Sequence, residues 1–230
     1  MSTIKIITTS DGSHSLVNTS LNETYHSIHG AIQESQHVFI HAGLDHWLQR
    51  NQKSEIRIFE AGFGTGLNVF LTVLHHALHK VKTYYESWEA FPLETDMLKK
   101  LNYPVTLGSP EIFSRIHEAP WNQPMPILTS FTLCKKRRDI LMDPIQCSAP
   151  FDLIYYDAFA PMKQPEMWTL STLRKISSLL APGGVLVTYC AKGQVKRDLK
   201  SLELAIETLP GSPGKKEMIR ATFNSSLGQK

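Results

Sequence analysis

The sequence predicts an α/β fold: a mainly parallel sheet of seven strands, helices on both faces, and an antiparallel hairpin at the C-terminal edge. Three stretches carry the prediction. Residues 55–59 read as a short strand, Gly62, Gly64 and Gly66 as a tight loop, and residues 67–74 as the first turns of a helix. Strand, glycine loop and helix open a βαβ unit. Residues 153–156 form an apolar run of the kind buried on both faces of a parallel sheet. Residues 169–180 read as a helix, and Ala181-Pro182-Gly183-Gly184 then turns the chain into a strand over 185–190.

The chain has 230 residues, enough for one such domain with a sizeable core. Hydrophobic residues make up 42% and charged residues 20%, the balance of a globular protein in water. A net charge of +3 is too small to mark a nucleic-acid binder by itself. Cys134, Cys147 and Cys190 form no C-x-x-C pair, and their odd number argues against a disulfide framework. A reducing cytoplasm is the expected setting. No apolar run is long enough to span a membrane, and the N-terminus is too short and polar for a signal peptide.

In chain order, residues 3–9 and 14–18 suit two strands joined at Asp11-Gly12, and a helical stretch follows from Gly30-Ala31 to about Arg50. Residues 1–50 are expected to form an extension packed on the main domain, residues 51–230. Glu60 closes the strand before the glycine loop. The glycines permit positive φ and let a ligand touch bare backbone, and the helix N-terminus beyond offers free N–H groups. The G-x-G-x-G spacing is one residue short of the dinucleotide pattern, so a pyrophosphate fits poorly. A second strand over 83–90 ends near Glu89, 23 residues after Gly66, where a carboxylate can accept from ribose hydroxyls. Residues 94–101 suit a helix.

Residues 102–150 hold seven prolines and are expected to contain a long insertion. Residues 121–126 read as loop and 131–134 as a strand. Lys135-Lys136-Arg137-Arg138 reads as a solvated turn or a phosphate contact. Asp157 ends the strand at 153–156. Glu60, Glu89 and Asp157 therefore fall on one rim, at the carboxyl ends of three strands, where open α/β sheets bind ligands. Lys192 opens a last helix carrying four positive charges, and residues 203–209 and 216–223 suit the closing hairpin. His75 and His79 stand i, i+4 on a helix, but no third ligand accompanies them, so no metal is expected.

An acidic strand end followed by G-x-G-x-G resembles motif I of the class I S-adenosylmethionine (SAM) methyltransferases. A wider set of stretches is more specific. It comprises Phe59-Glu60-Ala61-Gly62-Phe63-Gly64-Thr65-Gly66-Leu67-Asn68, Ser87-Trp88-Glu89-Ala90-Phe91-Pro92-Leu93, Asp157-Ala158-Phe159-Ala160-Pro161, Pro165-Glu166-Met167-Trp168 and Lys215-Lys216-Glu217-Met218. Together they resemble the methyltransferase half of the bacterial tRNA wobble-uridine enzymes of the MnmC/MnmD family, from about Tyr25 to Ile219.

The resemblance implies a Rossmann-like class I fold with SAM held by Glu60, Gly62, Gly64, Thr65, Gly66, Glu89 and Asp139. In it the loop wraps the methionine part, Glu60 orders the loop and the ligand's ammonium, Glu89 takes the ribose and Asp139 the adenine amino group. It implies methyl transfer to the amino nitrogen of 5-aminomethyl-(2-thio)uridine in the anticodon stem-loop of tRNA, at the wobble position, with Asp157 at the substrate amine. Such an enzyme acts after those that install the aminomethyl or carboxymethylaminomethyl group. No fused oxidase domain is expected here, so demodification is not expected of this chain. Two departures stand out: Ala158 replaces the family's usual glycine, and the G-F-x-x-R-x-x-L pattern of the last helix is weaker.

The chemistry can be argued from the residues as well. Methyl transfer is an in-line displacement that depends on positioning. An aliphatic amine must shed a proton first, and Asp157 could take it or hold the amine in line; both roles stay open. Tyr25, Phe159, Pro161, Trp168 and Lys192 are the candidate substrate contacts, with Phe159 and Trp168 as walls for a splayed-out base. Core packing is an equally good reading of Trp168. A polyamine-type aminopropyltransferase shares the fold, but it repeats an acid in D-x-x-D-P where this chain has Ala160. A SAM-fold module that only binds RNA would have no use for Glu60, Glu89 and Asp157 together.

Overall fold

The turn at Asp11-Gly12 pairs β1 (Ile4–Thr8) with β2 (His14–Asn18), and a two-residue β3 (Glu23–Thr24) lies beside β2. In the computed structural model, which describes residues 4–79, 81–145 and 147–224, these three strands make a small sheet of their own. Thr3, at the start of the expected first strand, lies outside the described residues. The Asp11 carboxylate accepts from Ser13 N and, at 3.0 Å, from Gln33 N, so the same turn secures the start of the next helix. That helix, α1, runs through Ala31–Ser35, a π-helical stretch Gln36–Asp45, and His46–Arg50. It buries Val38, Phe39, Leu44 and Trp47. Gly43 lets it lie close on the main sheet, since a Cβ there would come 3.0 Å from Val187.

The main sheet then alternates with helices in the expected manner. Its elements are β4 (Glu55–Ala61), α2 (Leu67–His79), β5 (Lys82–Trp88), α3 (Thr95–Leu98), α4 (Tyr103–Leu107), α5 (Pro110–Glu118), β6 (Pro124–Leu128) and β7 (Phe131–Lys136). There follow β8 (Phe151–Tyr156), α6 (Leu170–Ser177), β9 (Leu180–Thr188), α7 (Gly193–Ser201), β10 (Leu204–Pro210) and β11 (Glu217–Phe223). The strand order is β10-β11-β9-β8-β4-β5-β7-β6. The five strands from β9 to β7 are parallel; β11 and β6 run antiparallel to them, and β10 pairs antiparallel with β11. One apolar cluster packs α1, α2 and α5 on the sheet, and a second packs α6 and α7.

The sheet has eight strands rather than the expected seven. The extra one, β6, falls in residues read as loop because of Pro124 and Pro126. Proline removes a ladder donor, but β6 is an edge strand paired only with β7, where one side has no ladder to break. Among the described residues of the stretch 102–150 are two short helices and the β6–β7 hairpin, whose second strand is a parallel member of the sheet. The helix expected over 94–101 shrinks to the single turn of α3. Ala181-Pro182-Gly183-Gly184 does not precede a strand but lies inside β9, where the pairing register with β8 shifts and Gly183 takes φ +76°.

β4 and β8 are neighbours, and the helices that follow them pack on opposite faces. The crevice beyond their carboxyl ends is therefore the topological switch point of the sheet, the usual ligand position in such folds.

Candidate active site

The carboxyl ends of β4, β5 and β8 open into a cleft of about 790 Å³. Hydrogen bonds across the strand ends set its floor. Gly62 N donates to Trp88 O at 2.9 Å, and Asp157 N to Ala61 O at 3.2 Å. Gly62 takes φ +93°, and a Cβ on it would sit 3.0 Å from the Asp157 carbonyl, so only bare backbone lets the loop lie this close. At Gly66, with φ +74°, a Cβ would come 2.8 Å from the His117 ring.

Of the three carboxylates expected together on one rim, Glu89 and Asp157 line the cleft and Glu60 lies beneath it. Glu89 holds the loop while facing the cleft: Oε2 accepts from Gly64 N at 3.0 Å and Oε1 from Phe91 N at 2.9 Å. Asp157 accepts from Asn68 Nδ2 at 2.8 Å. Burial pushes its pKa up to about 7 against the pull of the Asn68 bond; Glu34 adds to the rise and Lys215 opposes it. Glu60 lies beneath the cleft, 1% exposed, accepting from Ser87 Oγ at 2.6 Å. Burial raises its pKa to about 8, opposed by the Ser87 bond and helped by the negative Asp157. Among the described residues, the buried Asn68 Oδ1 has no hydrogen-bond partner.

The Glu60 shift has a thermodynamic consequence. The folded chain keeps this proton up to about pH 8, whereas an unfolded glutamate loses it near its ordinary value of 4.5. Folding therefore binds a proton between those values, and this group's contribution to stability falls as pH rises through that window. Thermal melts without ligand should find Glu60→Gln level with wild type at pH 5 and more stable at pH 8. An equal difference at both pH values would remove the argument.

Of the residues singled out in the sequence, Tyr25, Gly62, Gly64, Thr65, Glu89, Asp139, Asp157 and Phe159 all line the cleft. Tyr25 meets Phe159 edge-on, ring centres 5.1 Å apart. Burial, with Glu89 nearby, pushes the Tyr25 hydroxyl up to about 12. Asp139 is pinned by Leu141 N, which donates to its Oδ1 at 2.8 Å, and by its own N–H to Asp143.

Glu60, Gly66, Pro161, Trp168 and Lys192 are not brought to the lining. Trp168 is buried edge-on against Tyr156 and donates Nε1–H to Phe159 O at 2.7 Å, so it fixes Phe159 rather than walling the cleft. Lys192 is exposed at the start of α7. The basic run is no single solvated turn either. Lys135 is buried over the Trp121 ring and donates to His117 O, and Lys136 pairs with Glu86 at 2.9 Å, leaving only Arg137 and Arg138 exposed.

Sequence reasoning gave Asn68, Tyr189 and Glu34 no role in the cleft, and met Lys215 only as one of the basic residues along the rim. Asn68 holds Asp157; its signal was its place in the first helical turn after the loop. Tyr189 lines the cleft and donates Oη–H to Ala158 O at 2.8 Å. Lys215 lies over the Tyr189 ring at 3.7 Å and pairs with Glu34. Glu34 and Lys215 stand at opposite ends of the chain, and no local pattern joins them.

Residues 133–224 match a family described as S-adenosyl-L-methionine-dependent methyltransferase. The chain is 30% identical to the tRNA 5-methylaminomethyl-2-thiouridine biosynthesis bifunctional protein MnmC of Pseudoalteromonas atlantica, over 92% of this chain and 32% of that protein. It is also 30% identical to the protein of that name from Magnetococcus marinus, over 90% of this chain and 32% of the other. It thus spans about a third of the length of these relatives. The structure superposes on MNMC2 from Aquifex aeolicus with a TM-score of 0.82 and 25% identity, over 97% of this chain and 71% of the other. Spermidine synthase from Thermotoga maritima is similar with a TM-score of 0.61, over 96% of this chain and 69% of the other, but its 13% identity shows the fold alone. Among the described residues no helix is long and apolar enough to cross a membrane.

Proposed function

We propose that this chain, which belongs to the MnmC methyltransferase-domain family, methylates the amino nitrogen of 5-aminomethyl-(2-thio)uridine at the wobble position of a tRNA anticodon. Its cofactor is SAM, which supplies an electrophilic methyl group. The observation that carries the reading is the placing of Asp157 on the cleft floor, hydrogen-bonded to Asn68 and backed by the bare glycine loop.

The cleft fits a ligand with SAM's polar groups. Asn68 Oδ1, a buried acceptor without a partner among the described residues, favours a ligand that brings its own N–H donor into this corner, as an ammonium does. Gly62, Gly64, Thr65 and Gly66 would hold the methionine part, Glu89 the ribose and Asp139 the adenine. Each Glu89 oxygen accepts one backbone N–H and keeps a further lone pair for a hydroxyl.

Asp157 would receive the substrate amine. An aliphatic ammonium must lose a proton before it can attack, and a carboxylate whose pKa lies near 7 is matched to take it near neutrality. Asn68 keeps that carboxylate oriented. Phe159 and Tyr25 would wall the base, with Trp168 holding Phe159 in place. Residues 1–50 would then be the extension that supplies one wall through Tyr25 and Glu34, and 51–230 the main domain. Pro161 and Lys192, away from the cleft, are left as contacts to the larger RNA. The substrate would come from enzymes that install the aminomethyl or carboxymethylaminomethyl group.

The test is nucleoside mass spectrometry. Purified protein, methyl-labelled SAM and tRNA from cells lacking this methyl transfer should yield labelled 5-methylaminomethyl-uridine or its 2-thio form. Label appearing elsewhere in the RNA, or none at all, would overturn the assignment. Aminopropyl transfer to putrescine would install the rival chemistry, against which Ala160 already counts.

A further inference from the structure

We propose that Lys215 reads the carbonyl at C4 of the target base, so that Lys215 and Asp157 together select a pyrimidine with an acceptor at C4 and an aminomethyl group at C5. The inference rests on the function proposed above and deepens it, by naming what distinguishes uracil from cytosine in the cleft.

Lys215 sits in the turn between β10 and β11 and lines the cleft with Asp157. Its ammonium is held from two sides. One is the Glu34 carboxylate, with which it forms an ion pair; the other is the face of Tyr189, 3.7 Å from Nζ. Glu34 is itself buried, 5% exposed, and fixed by Ser27 N at 2.7 Å and Ser212 Oγ at 3.3 Å. Tyr189 donates to the carbonyl of Ala158, the residue after Asp157. The ammonium and the reacting carboxylate are thus mounted on one connected scaffold.

An ammonium carries three N–H donors. Pairing with Glu34 does not use them all, and the Tyr189 face accepts charge without a lone pair. Lys215 lines the cleft, and with 31% of its side chain exposed it keeps donor capacity beyond the Glu34 pair. Packing alone gives little reason for this arrangement, since a buried ion pair is seldom more stabilising than an apolar pair of similar volume. A fixed donor is useful where a ligand presents an acceptor. In a 5-aminomethyl pyrimidine, the C4 group and the aminomethyl carbon stand on adjacent ring atoms, so neighbouring protein groups can meet both. Uracil offers a carbonyl oxygen at C4. Cytosine offers an amino group there, and two donors would face each other across a desolvated gap.

The experiment uses short anticodon oligonucleotides carrying 5-aminomethyluridine, 5-aminomethylcytidine, or the 4-deoxy analogue that lacks O4. Methyl transfer from labelled SAM gives kcat/KM for each. Wild type should prefer the uridine to both analogues by about 10- to 100-fold, the range for hydrogen bonds to a charged group. Lys215→Met should lose a similar factor on the uridine and little on the analogues, collapsing the preference, with S-adenosylhomocysteine binding within twofold of wild type. Lys215→Arg should restore part of it. Equal loss on all three substrates would make Lys215 a latch between the hairpin turn and α1, and would overturn the proposal. So would wild type failing to discriminate, a result that needs no variant to fold. Wild type inactive on all three would instead defeat the proposed function, and this inference with it.

Discussion

Asp157→Asn should lower methyl transfer by about a hundredfold or more, the effect of removing a positioned acid–base group, while SAM binding stays within a few-fold of wild type. The substitution preserves shape. Its amide oxygen can still accept from Asn68 Nδ2, so the hydrogen bond that orients residue 157 survives. Cofactor contacts would come chiefly from β4 and β5, through the glycine loop and Glu89, and would be kept. The pH profile gives an independent reading. With a pKa near 7, Asp157 takes up a proton as pH falls through neutrality, and wild-type kcat/KM should fall with it. Whatever activity Asp157→Asn retains should lack that acid limb. A loss confined to RNA affinity would make Asp157 an anchor only. A loss of SAM binding would move it into the cofactor site, and turnover within a few-fold of wild type would sink the mechanism.

The order of elements was legible because period and punctuation agree along most of this chain. Residues 55–74 and 151–157 combine apolar strands with an acidic or glycine stop, and each signal points to a parallel strand ending at the ligand edge. The β6 strand was hidden because proline argues against strands everywhere except at an edge, and edge position is a property of the assembled sheet. Charge was the least transferable signal. Lys135 and Lys136 read as part of a solvated turn or a phosphate contact, yet β7 carries them into the sheet, where Trp121 and Glu86 receive them. Trp168 shows a different limit: cleft wall and core packing were equally good readings, and its indole N–H found a backbone acceptor one layer further in. The Glu34–Lys215–Tyr189 group joins α1, the last hairpin turn and the end of β9, so nothing short of the folded chain brings it together.

Glu89→Ala should weaken SAM by about 1.5–3 kcal/mol, the scale of hydrogen bonds to a charged group. The geometry makes this a composite effect. The carboxylate also accepts from Gly64 N and Phe91 N, so its removal leaves two backbone donors without an acceptor and loosens the loop. Two comparisons separate the contributions. Glu89→Gln keeps one carbonyl oxygen and should fall between wild type and alanine. The second uses S-adenosylhomocysteine and its 2′-deoxy and 3′-deoxy analogues, titrated by calorimetry into wild type and Glu89→Ala. If Glu89 accepts from the ribose, at least one missing hydroxyl should cost wild type about tenfold and the alanine variant little, a non-additivity that marks direct contact. Equal penalties in both proteins would mean that Glu89 acts only by ordering the loop at Gly64. Unchanged affinity in Glu89→Ala would place the ribose acceptor on another strand end and leave the carboxylate as a support for the turn at Phe91.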